Sequence, residues 1–251
     1  YELFLRGTLD KIGAFPDALH IGDYKTASNT FTEHTYTPAH REMAESLNTD
    51  LYEQLVRGIA DGRRKSEAEV KALIDHGPFL SEDALRAGLI DDVAYEDELD
   101  DKVKLGSTKA TFVDMNEYRQ VSAGSLGLGR GQKIAVIYAT GIIASGKSTY
   151  DTTGSQVTGS ETIVEYLRKA RADSATKAIV LRIDSPGGSA IASDIIWREV
   201  LLTKNQKPVI ASMSDVAASG GYYIAMPAHA IVAEPSTLTG SIGVVLTKFV
   251  I

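Results

Sequence analysis

The feature that most constrains the fold is an alternation of apolar strands and amphipathic helices that begins at Lys133. Helical patterns over 161–172, behind Ser160 as a cap, and over about 190–203 separate segments that have the length and composition of buried strands. The strand segments are IAVIYA (134–139), AIVLRI (178–183), PVIASM (208–213) and AIVAE (230–234). This order predicts an α/β fold whose largely parallel sheet is covered by helices on both faces. Ligands bind at the carboxyl ends of the strands in such folds, so a site is expected in the loops that follow them.

Three of these loops carry chemically useful groups. DSPGGS (184–189) exposes backbone amides ahead of a helix, which suits an anion or a developing oxyanion. AASGGYY (217–223) places Ser219 among small residues, so that the chain can turn sharply and a substrate can approach the hydroxyl, as in a nucleophile elbow. STLTGSIG (236–243) supplies further hydroxyls. Each loop taken alone also fits a tight turn or a packing site for small residues.

A serine nucleophile needs a base, and the sequence offers an unusual one. None of the five histidines lies in a recognisable triad context. A lysine can act as the base when it is neutral, which requires burial without a countercharge. Lys25 stands out because it lies in the extended segment IGDYKTASNTF and not on a solvated helix face. From the residues alone, the simpler interpretation of Lys25 is a surface lysine.

The N-terminal part of the chain, up to about residue 105, has mainly helical patterns. Thr37-Pro38 marks a helix start, and Ser66 with Glu69 forms a capping box for a second helix. Ser81 opens a third helix that Gly88 ends. In the first of these helices an apolar stripe is predicted from the four-residue spacing of Met43, Leu47, Leu51, Leu55 and Ile59. Periodicity fades between 106 and 132, where clustered glycines predict a linker or a long surface loop, with a ligand-binding loop as the alternative.

Composition excludes several classes of protein. The 251 residues, 43% apolar and 24% charged, suffice for one large globular domain or two small ones. With no cysteine, the chain has no disulfide, iron–sulfur cluster or thiolate zinc site. A net charge of −7 argues against a broad nucleic-acid interface. No apolar stretch reaches the roughly 20 residues that a membrane-spanning helix needs.

The three loops together resemble those of the signal peptide peptidase A (protease IV) family of membrane-bound Ser/Lys proteases. The segment IGDYKTASNTFTEHTYTPAHREM resembles the part of that family that carries its base, and the similarity extends over nearly the whole chain. The resemblance implies a fold similar to Clp proteases and crotonases, built from repeated β-β-α units. It also implies that cleaved signal peptides or other unfolded peptides are the substrates and that neither a metal ion nor a cofactor is needed.

Residue by residue, the resemblance assigns five roles. Ser219 matches the nucleophile, Lys25 the general base, and Ser241 the serine that orients the lysine. The backbone amides of Gly188 and Gly220 match the oxyanion hole.

The long members of this family contain two tandem copies of the fold, with the lysine in the first copy and the serine in the second. Lys25 precedes Ser219, which is the order in that long form. We therefore expect residues 1–105 to be the later half of a first copy, 106–132 a linker, and 133–251 the early half of a second copy. The chain is then an interior piece of a longer protein. The same resemblance implies a homo-oligomer held at a bacterial-type inner membrane by an anchor outside this chain.

One further motif predicts a different function. GIIASGKS (141–148) fits the phosphate-binding P-loop pattern and follows an apolar strand. A P-loop runs directly into a helix whose N-terminus holds the phosphates, whereas STYDTTGSQVTGS follows here without any apolar period. Ile142 and Ile143 also fit a continuing strand. A nucleotide-binding protein thus remains an alternative, as does a non-catalytic scaffold of the same fold in which Ser219 has no base.

Overall fold

The computed structural model describes residues 2–104, 111–129 and 131–251. The chain forms two compact units, residues 1–46 with 132–251 and residues 47–131. The larger unit contains β1 (Phe15–His20), β2 (Lys133–Thr140), β3 (Ile142–Ala144), β4 (Thr149–Tyr150), β5 (Gln156–Gly159), β6 (Thr176–Ser185), β7 (Val209–Ala218), β8 (Ala230–Val232), β9 (Leu238–Gly240) and β10 (Val245–Val250). Its helices are α1 (Arg6–Lys11), α2 (Asn29–Thr32), α8 (Ser160–Ala172), α9 (Ala190–Lys204) and α10 (Gly220–Ala225), with a 3-10 turn at Thr26–Ser28.

The main sheet is parallel and has the strand order β2-β6-β7-β8, with β9 pairing farther along β7. Each of the four predicted strand segments overlaps one of the strands β2, β6, β7 and β8, and the predicted helices are α8 and α9. The α/β fold expected from the alternation of strands and helices is therefore confirmed. Two smaller sheets accompany it, one of β3, β5 and β4 and one formed by β1 with β10.

The core lies between one face of the main sheet and the helices α8, α9 and α10. Side chains such as Leu181 and Ile183 on β6 and Ile196 on α9 are fully buried there. The opposite face of β2 is exposed, with Val136 49% and Tyr138 66% accessible. Within the described residues, the prediction that helices cover both faces of the sheet therefore fails at β2. A continuous apolar run does not reveal that its alternate residues face different surroundings.

The edge strand β8 also departs from expectation. The segment 230–234 is predicted as a buried strand, but β8 covers only Ala230–Val232 and all three of its residues are exposed. Because β8 lies at the end of the sheet and pairs only with β7, its side chains have no neighbouring strand on the other side.

The remaining helices confirm the predicted start and stop signals. They are α3 (Pro38–Arg63), α4 (Glu67–His76), α5 (Ser81–Arg86), α6 (Glu96–Lys104) and α7 (Met115–Gln120). The His40 amide donates to Thr37 Oγ1 over 3.3 Å ahead of α3, and Ser66 and Glu69 form both halves of the capping box of α4. Gly88 has the positive φ of 69° that ends a helix well.

The apolar stripe predicted along α3 is only partly correct. Val56 and Ala60 are buried with Val70, whereas Leu51 and Leu55 are 44% and 55% exposed. Four residues turn the helix about 40° more than one full turn, so residues at a strict four-residue spacing lie progressively farther from the buried face.

The glycine-rich range 106–132 contains α7 and a 3-10 turn at Ala123–Leu126. Residues 106–110 and 130 of that predicted linker lie outside the described residues. Within the described ranges, no helix is both long enough and apolar enough to cross a membrane.

Candidate active site

Ser219 lies at a sharp turn between β7 and α10, within the larger unit. Its backbone has φ 51° and ψ −115°, outside the regions that serine normally adopts. The turn is held from both sides, because the Ser219 amide donates to the Gly240 carbonyl and the Tyr223 amide donates to the Ser219 carbonyl. Gly221 must be glycine-sized, since a Cβ there would lie 2.6 Å from the Ser185 carbonyl oxygen. This geometry presents the Ser219 hydroxyl at the carboxyl end of a central strand.

Ser241 is placed beside Ser219 by strand register. β9 pairs in parallel with β7, and the last pair in the register is Ala218 with Gly240. Ser219 follows Ala218 of β7 and Ser241 follows Gly240 of β9, so the two serines leave the sheet side by side. Ser241 also has a positive φ, of 48°.

Lys25 reaches these serines through the antiparallel pair β1 and β10. The register of that pair ends with His20 opposite Val245. Because the strands run in opposite directions, the residues after His20 and those before Val245 leave the ladder at the same end. Lys25 and Ser241 are therefore brought together although they are 216 positions apart in the sequence.

The amine of Lys25 is buried and has only neutral partners among the described residues. The side chain is 7% exposed. Nζ donates to Ser241 Oγ over 3.0 Å and to the Ser241 carbonyl oxygen, and lies 3.4 Å from Ser219 Oγ. Burial disfavours the charged form and lowers the pKa of Lys25 below its ordinary value of 10.5. A neutral amine has two N–H groups and one lone pair, so two donations to Ser241 leave the lone pair for the Ser219 hydroxyl.

The amides of Gly188 and Gly220 lie close to each other next to Ser219. The Gly188 nitrogen is 3.3 Å from the position that a Cβ on Gly220 would occupy. Within the described part of the chain, neither amide has an acceptor. Two free amides beside a serine hydroxyl can both donate hydrogen bonds to an oxyanion.

Two glycines make this close approach possible. A Cβ on Gly187, which has φ 99°, would lie 2.5 Å from the Gly220 nitrogen and 2.9 Å from Ser219 Cβ. A Cβ on Gly188 would lie 2.2 Å from the Ile143 carbonyl oxygen. A larger residue at position 187 would push the loop 184–189 away from Ser219, and a larger residue at position 188 would push the loop away from Ile143 of β3.

Comparison with known proteins shows to which family this arrangement belongs. A family model described as Peptidase family S49 matches residues 2–109 and 202–251. The chain therefore belongs to peptidase family S49. All five residues that the resemblance assigned to the site lie together in the larger unit of this S49 chain.

Two curated relatives match almost all of this S49 chain. "Serine protease SPPA, chloroplastic" of Arabidopsis thaliana is 43% identical over 98% of the chain and 37% of its own length. "Protease 4" of Salmonella typhi is 35% identical over 96% of the chain and 40% of its own length. The chain thus spans about two-fifths of the length of these relatives. A solved structure, a mutant of a membrane-bound stomatin-specific protease in complex with a substrate peptide, matches with 27% identity, 44% coverage of each chain and a TM-score of 0.34.

The P-loop-like segment has another structural role in this S49 chain. Ile142 and Ile143 lie in β3, and the strand β4 follows Ser148 where a P-loop would continue into a helix. The segment instead covers the start of α8, because the Gly146 carbonyl already accepts the Glu161 amide over 2.9 Å. The arrangement therefore lacks the free helix N-terminus that would hold a phosphate.

Sequence reasoning missed two parts of the site. The pairing of β1 with β10 carries no local signal, because the two strands lie at opposite ends of the chain. Ser185 is a fully buried hydroxyl at the start of the loop 184–189. The alternation of apolar and charged side chains over Leu181, Arg182, Ile183 and Asp184 could have indicated that Ser185 faces inward as well.

Proposed function

We propose that this chain carries the active site of a serine endopeptidase with a Ser/Lys dyad, which degrades cleaved signal peptides or other unfolded peptides. The observation that carries the proposal is the buried amine of Lys25, 3.4 Å from Ser219 Oγ and without a carboxylate partner in the described ranges. An amine in such surroundings is the kind that loses its proton and can act as a base.

The reaction begins when neutral Lys25 takes the proton from the Ser219 hydroxyl. Oγ then bonds to the peptide carbonyl carbon, and the carbonyl oxygen becomes an oxyanion that the Gly188 and Gly220 amides stabilise. Each such donor typically accounts for about 3 kcal/mol of transition-state stabilisation.

The protonated Lys25 then returns its proton to the leaving nitrogen, and the peptide C–N bond breaks. This step leaves an acyl group on Ser219. Water donates a proton to Lys25 while its oxygen attacks the ester, and the proton returns to Oγ as the acid product leaves. Ser241 holds the amine in one orientation through both halves of the reaction.

The expected partners belong to the same proposal. An extended, unfolded peptide is the substrate class, and the protein works at a membrane as a homo-oligomer. Cell fractionation followed by size-exclusion chromatography of the membrane extract tests both statements. A monomer found only in the aqueous fraction would contradict them.

A fluorophosphonate probe tests the dyad directly, because it forms a covalent bond only with an activated serine. We expect the purified protein to be labelled, and we expect labelling to vanish in both Ser219→Ala and Lys25→Met. Lys147→Ala is the matched control, since it removes an exposed lysine in the P-loop-like segment and should leave labelling unchanged. Wild-type protein that is folded yet unlabelled would favour a non-catalytic scaffold. ATP binding that Lys147→Ala abolishes would favour a nucleotide-binding protein.

A further inference from the structure

Ser185 connects three segments around the reactive serine. It is the last residue of β6 and is 0% exposed. Its Oγ donates to the Gly141 carbonyl over 2.6 Å and accepts from the Gly187 amide over 3.1 Å. Its own carbonyl oxygen lies against Gly221 at the start of α10. One buried residue therefore touches the end of β2, the loop 186–189 and the helix that follows Ser219.

The backbone donors of the loop 186–189 can be accounted for one by one. Pro186 has no N–H, and the Ser189 amide donates to the Ile143 carbonyl over 2.8 Å. The Gly187 amide donates to Ser185 Oγ. The Gly188 amide is the one donor of this loop that has no acceptor among the described residues. The Gly187 and Ser189 amides thus fix the shape of the loop, and the Gly188 amide is left free to donate to an oxyanion.

The hydrogen bond from the Gly187 amide to Ser185 Oγ matters because the loop contains two consecutive glycines, whose backbone is easily rotated. Gly187 and Gly188 have φ values of 99° and 151°. Glycine adopts such values readily, but it also adopts many other conformations at little cost. The two peptides that meet at Gly187, 186–187 and 187–188, can therefore rotate unless hydrogen bonds hold each of them. β3 holds the peptide 187–188, because the Ile143 amide donates to the Gly187 carbonyl, and the Ile143 carbonyl accepts the Ser189 amide. The Ser185 hydroxyl holds the Gly187 N–H.

We propose that Ser185 is a positioning residue for the oxyanion hole: its hydroxyl fixes the Gly187 peptide and so aims the Gly188 amide. The proposal rests on the proposed function, because it assigns Ser185 a part in the same reaction. Removal of the hydroxyl leaves the Gly187 N–H and the Gly141 carbonyl unpaired in a buried place. Rotation of the 186–187 peptide then lets the Gly187 N–H turn toward another partner. Because the peptides 186–187 and 187–188 meet at Gly187, this rotation displaces the second peptide and turns the Gly188 amide away from the oxyanion.

Ser185→Ala tests the proposal, with Thr158→Val as the matched control. Thr158 is also buried, and its hydroxyl donates over 2.7 Å to the carbonyl of Thr140, the residue before Gly141. Both variants lose a buried hydrogen bond to a carbonyl at the end of β2, and Ser185→Ala also loses the bond from the Gly187 amide, so thermal unfolding should show a loss of stability for both. Only Ser185→Ala should change the oxyanion hole.

Two kinetic readouts separate positioning from stability. We expect Ser185→Ala to lower kcat about 10- to 100-fold, as small misplacements in an active site do, with KM little changed. A peptide aldehyde forms a tetrahedral adduct with Ser219, so its affinity should fall by the same factor as kcat. The single variant Ser219→Ala and the double variant with Ser185→Ala should bind the uncleaved peptide with the same affinity. Ser185→Thr, which restores a hydroxyl, should recover most of the loss.

Several outcomes would overturn the proposal. Wild-type kcat and aldehyde affinity in Ser185→Ala would do so, and so would equal losses in Thr158→Val. If Ser185→Ala does not fold, Ser185→Cys keeps the volume with only a weak hydrogen-bonding thiol, and unchanged kcat there would count equally against it. A wild-type protein without peptidase activity would defeat the proposed function itself. An active wild type with an unaffected Ser185→Ala would defeat this inference alone.

Discussion

Ser219 and Ser241 are the first residues beyond a parallel strand pair, and both have positive φ, of 51° and 48°. The strands β7 and β9 therefore set the spacing of the two hydroxyls, and Lys25 lies between them with hydrogen-bond distances to Ser241. In the proposed reaction, Ser219 is the serine that reacts and Ser241 orients the Lys25 amine.

Ser241→Ala should weaken catalysis without abolishing it. The Lys25 amine loses its 3.0 Å bond to Ser241 Oγ but keeps its bond to the Ser241 carbonyl oxygen. One neutral hydrogen bond contributes about 1 kcal/mol, so kcat should fall about 5- to 10-fold. Steady-state kinetics on an unfolded peptide substrate measures the effect, with Ser236→Ala as a control in the same loop. A complete loss of activity would indicate that Ser241 does more than orient the amine.

The pH profile should report the lowered pKa of Lys25. Burial lowers this pKa below 10.5, and the neutral amine is the proposed base, so kcat/KM should rise with pH and level off above the pKa in the free enzyme. The midpoint should lie below 10.5, and labelling of Ser219 by a fluorophosphonate should follow the same curve. A midpoint at the ordinary lysine value would mean that the amine is exposed to water in the working enzyme.

Lys25→Met should remove activity while it increases stability at neutral pH. Because the pKa is lowered on folding, the unfolded chain binds the proton more tightly, and this difference destabilises the native state increasingly as pH falls below 10.5. Methionine fills a similar volume without that cost. Urea unfolding should show a larger gain for Lys25→Met at pH 7 than near pH 10.5. An equal gain at both pH values would contradict the lowered pKa.

Glu199→Ala should destabilise the larger unit far from the dyad. Glu199 is 2% exposed on α9 and forms ion pairs with Arg168 and Arg171 of α8. Its loss leaves the charge of Arg171, which is only 18% exposed, without its carboxylate partner, and breaking such a pair costs on the order of 3 kcal/mol. Glu165→Ala is the matched control: its carboxylate is 54% exposed beside Lys169, where an ion pair contributes below about 1 kcal/mol. Denaturant midpoints of the two variants make the comparison, and similar shifts would show that the buried pair is not a stabilising contact.

The predictable parts of this protein are those with local causes. Alternating strands and helices predicted the sheet, and the small residues around Ser219 predicted a sharp turn after a strand. Ser66 with Glu69 predicted a capping box, since that motif is complete within four residues. Apolar composition was less informative, because Ile134 and Ile137 of the same strand face solvent and core respectively.

The sequence by itself determined the order of the strands and helices, which loops carry hydroxyls and glycine amides, and which residues resemble the S49 site. Only the tertiary structure decided that the Lys25 amine is buried and meets Ser219 and Ser241. That encounter depends on the pairing of β1 with β10 from opposite ends of the chain. The pKa of an amine depends on the water and charges around it, and in this protein distant segments supply those surroundings.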